Sequence, residues 1–411
     1  MQILLINPKI SSSTINLIKR YDRLRFYQFS YPYLLSMTPD EFKVDIFDEI
    51  KEVREIDIDA YRPDLVLMNG ETSQVKRMYE LAQQFRNQGA QVVLSGAHVS
   101  LFQEEAAQYA DALILGEVEG HWDALLQDAH NKKLKSLYQT DKNSCFNLDE
   151  LPYDLMKVKS SLLKIGDARM YPLLINRGRF QNAMTANAAP LSAPDMVRNR
   201  SLEKIEEEIK AVGNQVVFYL DGDLDLDHDF AASLFKILYD QNAKWITTCS
   251  ASFLLDEKNL DGLVRSGCKY LAIKLDRSNV TDASEDGISA FGEYYKVLHT
   301  LQQYAILLFP IIHVGYDQDQ PGIFDEVFSL VKQFAFNQSL VYLNAPLPGS
   351  TLYKEYADQS RIIEQNWDHY YGVQPVHQPK HMSVEELQEG YIDMMKRLTK
   401  LSHRLQITSS N

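Results

Sequence analysis

The stretch that decides the fold is Gln91-Val-Val-Leu-Ser-Gly-Ala-His98, followed by Ala112-Leu-Ile-Leu-Gly-Glu-Val-Glu-Gly120. Each opens as a short apolar run rich in branched side chains, the composition of a strand buried on both faces. Each run ends in a glycine among polar residues. The same unit recurs on the N-terminal side. Gln2–Ile6 is a strand stopped by Asn7-Pro8, Val44–Phe47 is closed by Asp48-Glu49, and Leu65–Met68 ends at Asn69-Gly70. Val75–Arg86 reads as a helix by its apolar spacing. Strands alternating with helices predict a parallel sheet wrapped by helices, a Rossmann-like domain over 1–130. In such sheets ligands lie beyond the carboxyl ends of the strands. One rim therefore carries Asn7, Pro8, Asn69, Gly70, Thr72, Ser95, Gly96, His98, Gly116, Glu117 and Glu119.

Residues 131–168 are polar and irregular and read as a linker. A second strand–helix series fills 169–345. Its strands are Leu173–Asn176, Val216–Leu220, Trp245–Thr248, Tyr270–Lys274, Ile306–His313 and Leu340–Asn344. Helices at Leu202–Val212, Ala231–Asp240 and Leu260–Arg265 lie between them. The α/β pattern predicts a full or partial TIM-type βα barrel. Residues 346–411 read as a C-terminal helical segment, with Ser383 and Glu386 as the capping box of an amphipathic helix.

The net charge of −14 and the lack of a basic run argue against a nucleic-acid partner, because phosphate binding needs clustered Lys and Arg. No run of 18 apolar residues exists, so no membrane span is expected. The N-terminus lacks the basic flank and apolar run of a signal peptide. Three scattered cysteines, Cys145, Cys249 and Cys268, argue against a disulfide framework and for a cytoplasmic location. They form no CxxC-type metal pair.

Several segments together resemble the cobalamin-binding radical-SAM family. They are the opening Ile-Leu-Leu-Ile-Asn-Pro, Val-Val-Leu-Ser-Gly-Ala-His at 92–98 and Ile-Leu-Gly-Glu-Val-Glu-Gly at 114–120. Leu151-Pro152-Tyr153-Asp154, Arg200–Glu203, Phe218–Asp223, Ser266-Gly267-Cys268 and Pro346–Ser350 follow in the family's order. Each motif is weak alone; their order over roughly 1–400 carries the resemblance. It implies cobalamin in the first domain and a barrel built for S-adenosylmethionine and an iron–sulfur cluster.

One departure matters. Where the family has CxxxCxxC, this chain reads Arg177-Gly-Arg-Phe-Gln-Asn-Ala-Met-Thr-Ala186. Arg179, Ala183 and Ala186 stand at the cysteine positions. Such a cluster is held by thiolates, so no iron–sulfur cluster and no deoxyadenosyl radical are expected. The first loop, Asn7–Ser13, has no histidine to ligate cobalt from below. Cobalamin is then expected base-off, its tail against Gly70, Gly96 and Gly116, with Thr72 and Ser95 as hydrogen-bonding groups. His98, Glu117 and Glu119 are each either cofactor contacts or ordinary loop side chains.

The candidate catalytic residues are Arg179, Asp221, Asp223, Lys274 and His313. Arg179 either enters the vacated cluster site, where it needs an anion such as a substrate carboxylate, a phosphate, Asp221 or Asp276, or it faces water. Asp221 and Asp223 open an acidic run through Asp229. Leu226 and Ala232 break the EF-hand pattern, so the run reads as a loop capping the next helix at Asp229. Lys274 is either an inward base or an exposed lysine. His313 is either a barrel-mouth group or a core histidine.

Two function classes follow. One is a cluster-free enzyme using cobalamin for polar methyl transfer or related chemistry on a small molecule, an anionic one if Arg179 points inward. S-adenosylmethionine remains a second ligand in that class. The other is a non-catalytic protein that binds, senses or delivers a corrinoid or other planar tetrapyrrole, or supports a catalytic paralogue. The enzyme class is favoured because the barrel keeps polar strand ends.

Overall fold

A computed structural model describes residues 1–10, 28–52, 54–139, 145–159, 162, 164–165, 168–178, 197–275, 291–336 and 338–409. The first sheet contains β1 (Gln2–Asn7), β2 (Lys43–Asp48), β3 (Leu65–Asn69), β4 (Gln91–Ser95), β5 (Ala112–Leu115) and β6 (Leu137–Gln139). All pairs are parallel, in the order β2-β1-β3-β4-β5-β6. β1 pairs β2 on one side and β3 on the other, so the sheet reverses its winding there. Ligands of doubly wound sheets bind at that reversal. The two faces bury separate apolar clusters, one around Phe85 and Met78 and one around Trp122 and Leu34.

β6 lies inside the stretch expected to be a linker. Only its middle residue, Tyr138, is buried, so no apolar run marked it. The helix Ser30–Met37 was also unmarked; Pro32 sits in its first turn, where a missing N–H costs nothing.

The second sheet starts with β7 (Lys164–Ile165) paired antiparallel to β8 (Ala168–Leu174). A short ribbon of β9 (Asn176–Arg177) and β10 (Arg198–Asn199) follows. Then come β11 (Val216–Asp221), β12 (Trp245–Ser250), β13 (Cys268–Leu275), β14 (Leu307–Val314) and β15 (Leu340–Leu343). From β8 to β15 the six long strands run parallel in chain order, a partial TIM-type barrel. Helices Leu202–Val212, His228–Asp240, Glu257–Arg265, Tyr295–Gln303 and Ile323–Gln333 cover its outer face.

The C-terminal segment adds helices Thr351–Asp358 and Val384–Ser409. Ser383 and Glu386 form the expected reciprocal cap: the Ser383 N–H donates to Glu386 Oε2 at 2.7 Å, and the Glu386 N–H to Ser383 Oγ at 3.0 Å. Among the described residues no helix is long and apolar enough to cross a membrane.

Candidate functional site

The strand ends of both sheets meet at one cavity of about 270 Å³. Asn69, Glu71, Gly116, Glu117 and Glu119 line it from the first sheet, Arg177 from the β9–β10 ribbon and Asp221 from the second sheet. Phe29 closes one side and stacks on Tyr219 of β11, centroids 4.1 Å apart.

Arg177 bridges the halves. Its guanidinium donates to Asp221 Oδ1 at 3.2 Å and stands 3.8 Å from Glu119 Oε1. The Tyr33 hydroxyl donates to Asp221 Oδ2 at 3.3 Å. Arg198 of β10 pairs with Glu117. Burial alone would lower the Arg177 pKa, but the charges of Asp221 and Glu119 overcome it and push it up. Burial raises the Glu119 carboxyl, with Arg177 opposing. The Tyr33 phenol is raised by burial and then by Asp221. Four carboxylates line the cavity against one lining guanidinium, so it offers hydrogen-bond acceptors and disfavours anions.

Other residues of the first rim are covered. Asn7 is fully buried and its Oδ1 accepts from Gln74 Nε2 at 3.0 Å; the Pro8 carbonyl accepts from the same nitrogen. Thr72 and Ser95 are buried as well, and Ser95 Oγ has no hydrogen-bond partner among the described residues. His98 Nδ1 lies 3.3 Å from Thr72 Oγ1, and its ring is sandwiched near Phe102 and Trp367 at 4.6 and 5.4 Å. Burial lowers its pKa to about 4, so the ring is neutral at pH 7. Gly96, at φ +116°, brings the β4 loop onto the β3 loop; a Cβ there would sit 2.3 Å from the Gly70 carbonyl oxygen.

At the mouth of the second sheet, Asn176 clamps the Asp223 backbone. Its Nδ2 donates to the Asp223 carbonyl and its Oδ1 accepts from the Asp223 N–H, both at 2.8 Å. Gly222, at φ +142°, permits this approach, since a Cβ would stand 2.5 Å from Asn176 Oδ1. Asp223 is 1% exposed; burial, then the charge of Asp225, raise its carboxyl to about 7, with Lys274 opposing. The Asp225 carboxylate accepts from the Ser250 N–H. Thus the acidic run is already engaged by its own chain. The helix after it is capped by Asp227, which accepts from the Phe230 N–H at 2.9 Å, and not by Asp229, because the helix begins a turn earlier than the apolar spacing suggested. His313 packs beside Tyr342, centroids 5.3 Å apart.

Arg179, Ala183, Ala186 and Asp276 lie outside the described residues. Cys249 and Cys268 are buried in the core between sheet and helices. Among the described residues no three His, Cys, Asp or Glu side chains are grouped to hold a metal. The structure thus joins Asn69, Gly116, Glu117, Glu119 and Asp221 around one space and sets Asp223 near Lys274. Sequence reasoning placed Glu71 at the rim within Asn69–Thr72 and weighed Trp367, with His369, Tyr370 and Tyr371, as pocket lining or tail packing; it missed Arg177 and Tyr33. Only Arg177 left a signal, two positions before Arg179.

No protein-family model matches the chain. The fold resembles that of cobalamin-type radical S-adenosylmethionine methyltransferases, and the chain lacks their CxxxCxxC cysteines. The structural likeness is to TsrM from Kitasatospora setae, solved with tryptophan substrate and a SAM analog and, separately, with cobalamin and a [4Fe-4S] cluster. For the first of these the TM-score is 0.58 at 15% identity, covering 89% of this chain and 77% of that one. By sequence the chain is 25% identical over 357 residues to the bacteriochlorophyllide d C-8(2)-methyltransferase of Chlorobaculum tepidum, covering 82% of this chain and 77% of the relative. It is 22% identical over 349 residues to the C-12(1)-methyltransferase of the same organism, covering 82% and 75%.

Proposed function

We propose that the chain binds a corrinoid between its two sheets and serves cluster-free, polar methyl transfer to a small molecule. The observation that carries this is the convergence of Asn69, Gly116, Glu117, Glu119, Arg177 and Asp221 on one cavity rich in acceptors. A corrin is fringed by amides, whose N–H groups suit carboxylate, carbonyl and exposed glycine backbone. Gly116 is half-exposed at this rim and lines the cavity without a side chain, which fits a macrocycle lying close. Asn7, Thr72, Ser95 and His98 lie beneath this surface and shape the rim.

When bound, the corrinoid supplies a cobalt centre able to carry a methyl group. The protein's own part is electrostatic. Arg177 holds Glu119 and Asp221 in place, and the excess of carboxylates favours a cationic or neutral group over an anion. The names of the C. tepidum relatives and the cobalamin-bound TsrM structure support the reading. S-adenosylmethionine is the proposed methyl source.

The test is titration of the purified full-length chain with hydroxocobalamin, read by absorbance and metal analysis. One corrinoid per chain without iron is the expected result, with labelled S-adenosylmethionine then labelling the corrinoid or a product. Absence of corrinoid uptake sinks the proposal.

A further inference from the structure

A corrinoid has two parts of different shape. The ring is a broad disc, and the nucleotide tail is a slender arm hanging from its edge. The disc is too wide to pass between neighbouring strands, which lie about 4.8 Å apart. Only the tail could enter the first sheet, through a crevice between two strand ends. In a doubly wound sheet that crevice is the reversal point. Here it falls between β1 and β3, and the next gap lies between β3 and β4.

Gln74 fills the crevice between β1 and β3 and is fully buried. Its Oε1 accepts from the Glu71 N–H at 2.9 Å, on the β3 side. Its Nε2 donates to Asn7 Oδ1 at 3.0 Å and to the Pro8 carbonyl, on the β1 side. The amide thus ties one strand end to the other, and a ligand in its place would have to replace all three bonds. Asn7, Thr72 and Ser73 around it are buried as well.

Backbone closes the gap between β3 and β4. The Gly70 N–H donates to the Ser95 carbonyl at 3.3 Å. A Cβ on Gly96 would stand 2.3 Å from the Gly70 oxygen and 2.8 Å from Asn69 Oδ1; one on Gly70 would stand 3.2 Å from Met78 Sδ and 3.5 Å from Gln74 Cβ. Packing inside the protein therefore uses the space that these two glycines leave. Past β4, His98 bears on Thr72 and is covered by Phe102 and Trp367. Ser95 Oγ and His98 Nε2 lack hydrogen-bond partners, but both residues are fully buried, so nothing from outside reaches them. Gly116, at the end of β5, is half-exposed and lines the cavity. The rim is open toward β5, where a ring can rest, and closed at β1, β3 and β4, where a tail would have to enter.

We infer that the chain grips the corrin ring alone and leaves the nucleotide tail outside the first sheet, so that cobinamide, a corrinoid without the tail, is the form it takes best. The inference rests on the proposed corrinoid reading and narrows its ligand. It departs from the tail contacts expected at Gly70, Gly96, Thr72 and Ser95. In hydroxocobalamin a tail without a protein site folds back, and its base caps one face of the cobalt. Cobinamide presents both faces and has no arm to displace, so less is lost on binding.

The test is absorbance titration of the full-length chain with diaquacobinamide and with hydroxocobalamin. Cobinamide should bind more tightly by about tenfold or more. A cobalamin carrying a fluorophore on its ribose hydroxyl should bind within about threefold of hydroxocobalamin, because that end of the tail stays in water. Gln74→Ala shortens the plug and should narrow the gap between the two corrinoids by about threefold or more. The first two measurements need no variant and stand if this one fails to fold. Equal or tighter binding of hydroxocobalamin, exclusion of the tail-labelled cobalamin, or a gap that folded Gln74→Ala leaves unchanged overturns the inference, and the corrinoid reading survives. Uptake of neither corrinoid sinks that reading and the inference with it.

Discussion

His98 and Asp223 show how burial, the largest cause at both, sets opposite pH dependences in two parts of the site. Burial takes the His98 pKa to about 4, against about 6.5 in the unfolded chain. Between those values the unfolded chain binds the extra proton, so acid favours unfolding. This ring costs the fold about 2 kcal/mol between pH 7 and pH 5. His98→Leu removes that loss, so in urea titrations the variant should gain on the wild type by about that amount over the same range. Asp223 runs the other way. Its folded pKa is raised to about 7, so the native state holds the extra proton down to the unfolded value near 4. Its contribution is present in acid and lost as pH rises to 7. Asp223→Asn should therefore lose about 2 kcal/mol relative to the wild type on going from pH 7 to pH 5. Slopes of the same sign in the two variants would mean that burial does not govern these groups.

At the scale of elements, the two glycine turns and the helix caps decide how closely the strand ends meet. Gly96→Ala places a methyl 2.3 Å from the Gly70 oxygen in a left-handed backbone. The two effects together should cost about 3 kcal/mol and lower the melting temperature by several degrees, read by calorimetry. Ser383→Ala removes a single cap and should cost about 1 kcal/mol. The comparison separates a fold-wide constraint from a local one. The same distinction explains what was legible beforehand. Apolar runs such as Leu65–Met68 and Val92–Leu94 are buried on both faces, so strand identity is written locally. Strand-end loops follow from strand direction, and that placed Asn69, Gly116 and Glu119 at one rim. β6 has one buried residue and leaves no such mark. Asp227 and Asp229 flank the same helix start, and only the backbone path separates cap from neighbour. Arg177 and Tyr33 act through Asp221, 44 and 188 positions away respectively, a pairing that no local pattern contains.

Across the whole molecule, the halves are stitched on two sides. On the cavity side Arg177 reaches Glu119, Arg198 reaches Glu117, Tyr33 reaches Asp221 and Phe29 stacks on Tyr219. On the other side the C-terminal segment crosses back. Gly349 lies against Leu101, where a Cβ would stand 2.5 Å from Leu101 Cδ2; Trp367 packs on Phe102 at 5.2 Å, and Asp368 pairs with Lys76 at 3.6 Å. Arg177→Met leaves Asp221 and Glu119 without their cation and should cost about 2–3 kcal/mol, less than a fully buried pair because the arginine is 28% exposed. Trp367→Ala removes a half-buried ring and should cost about 2 kcal/mol. The two residues share no partner, so the costs should add. The consequence of removing one contact from each side differs in kind from either loss. Most of each half's core is its own, around Phe85 and Trp122 in one and around Phe218 and Trp245 in the other, while Tyr33, Leu148, Leu151 and Leu174 form a smaller cluster that spans both. The wild type and each single variant should unfold in one cooperative urea transition, and the double variant in two, with near-ultraviolet circular dichroism at Trp122 and Trp245 tracking separate midpoints. Hydroxocobalamin uptake should fall with the first of those transitions, because the cavity needs both rims. A double variant that still unfolds in a single step would place the coupling between the halves outside these two contacts.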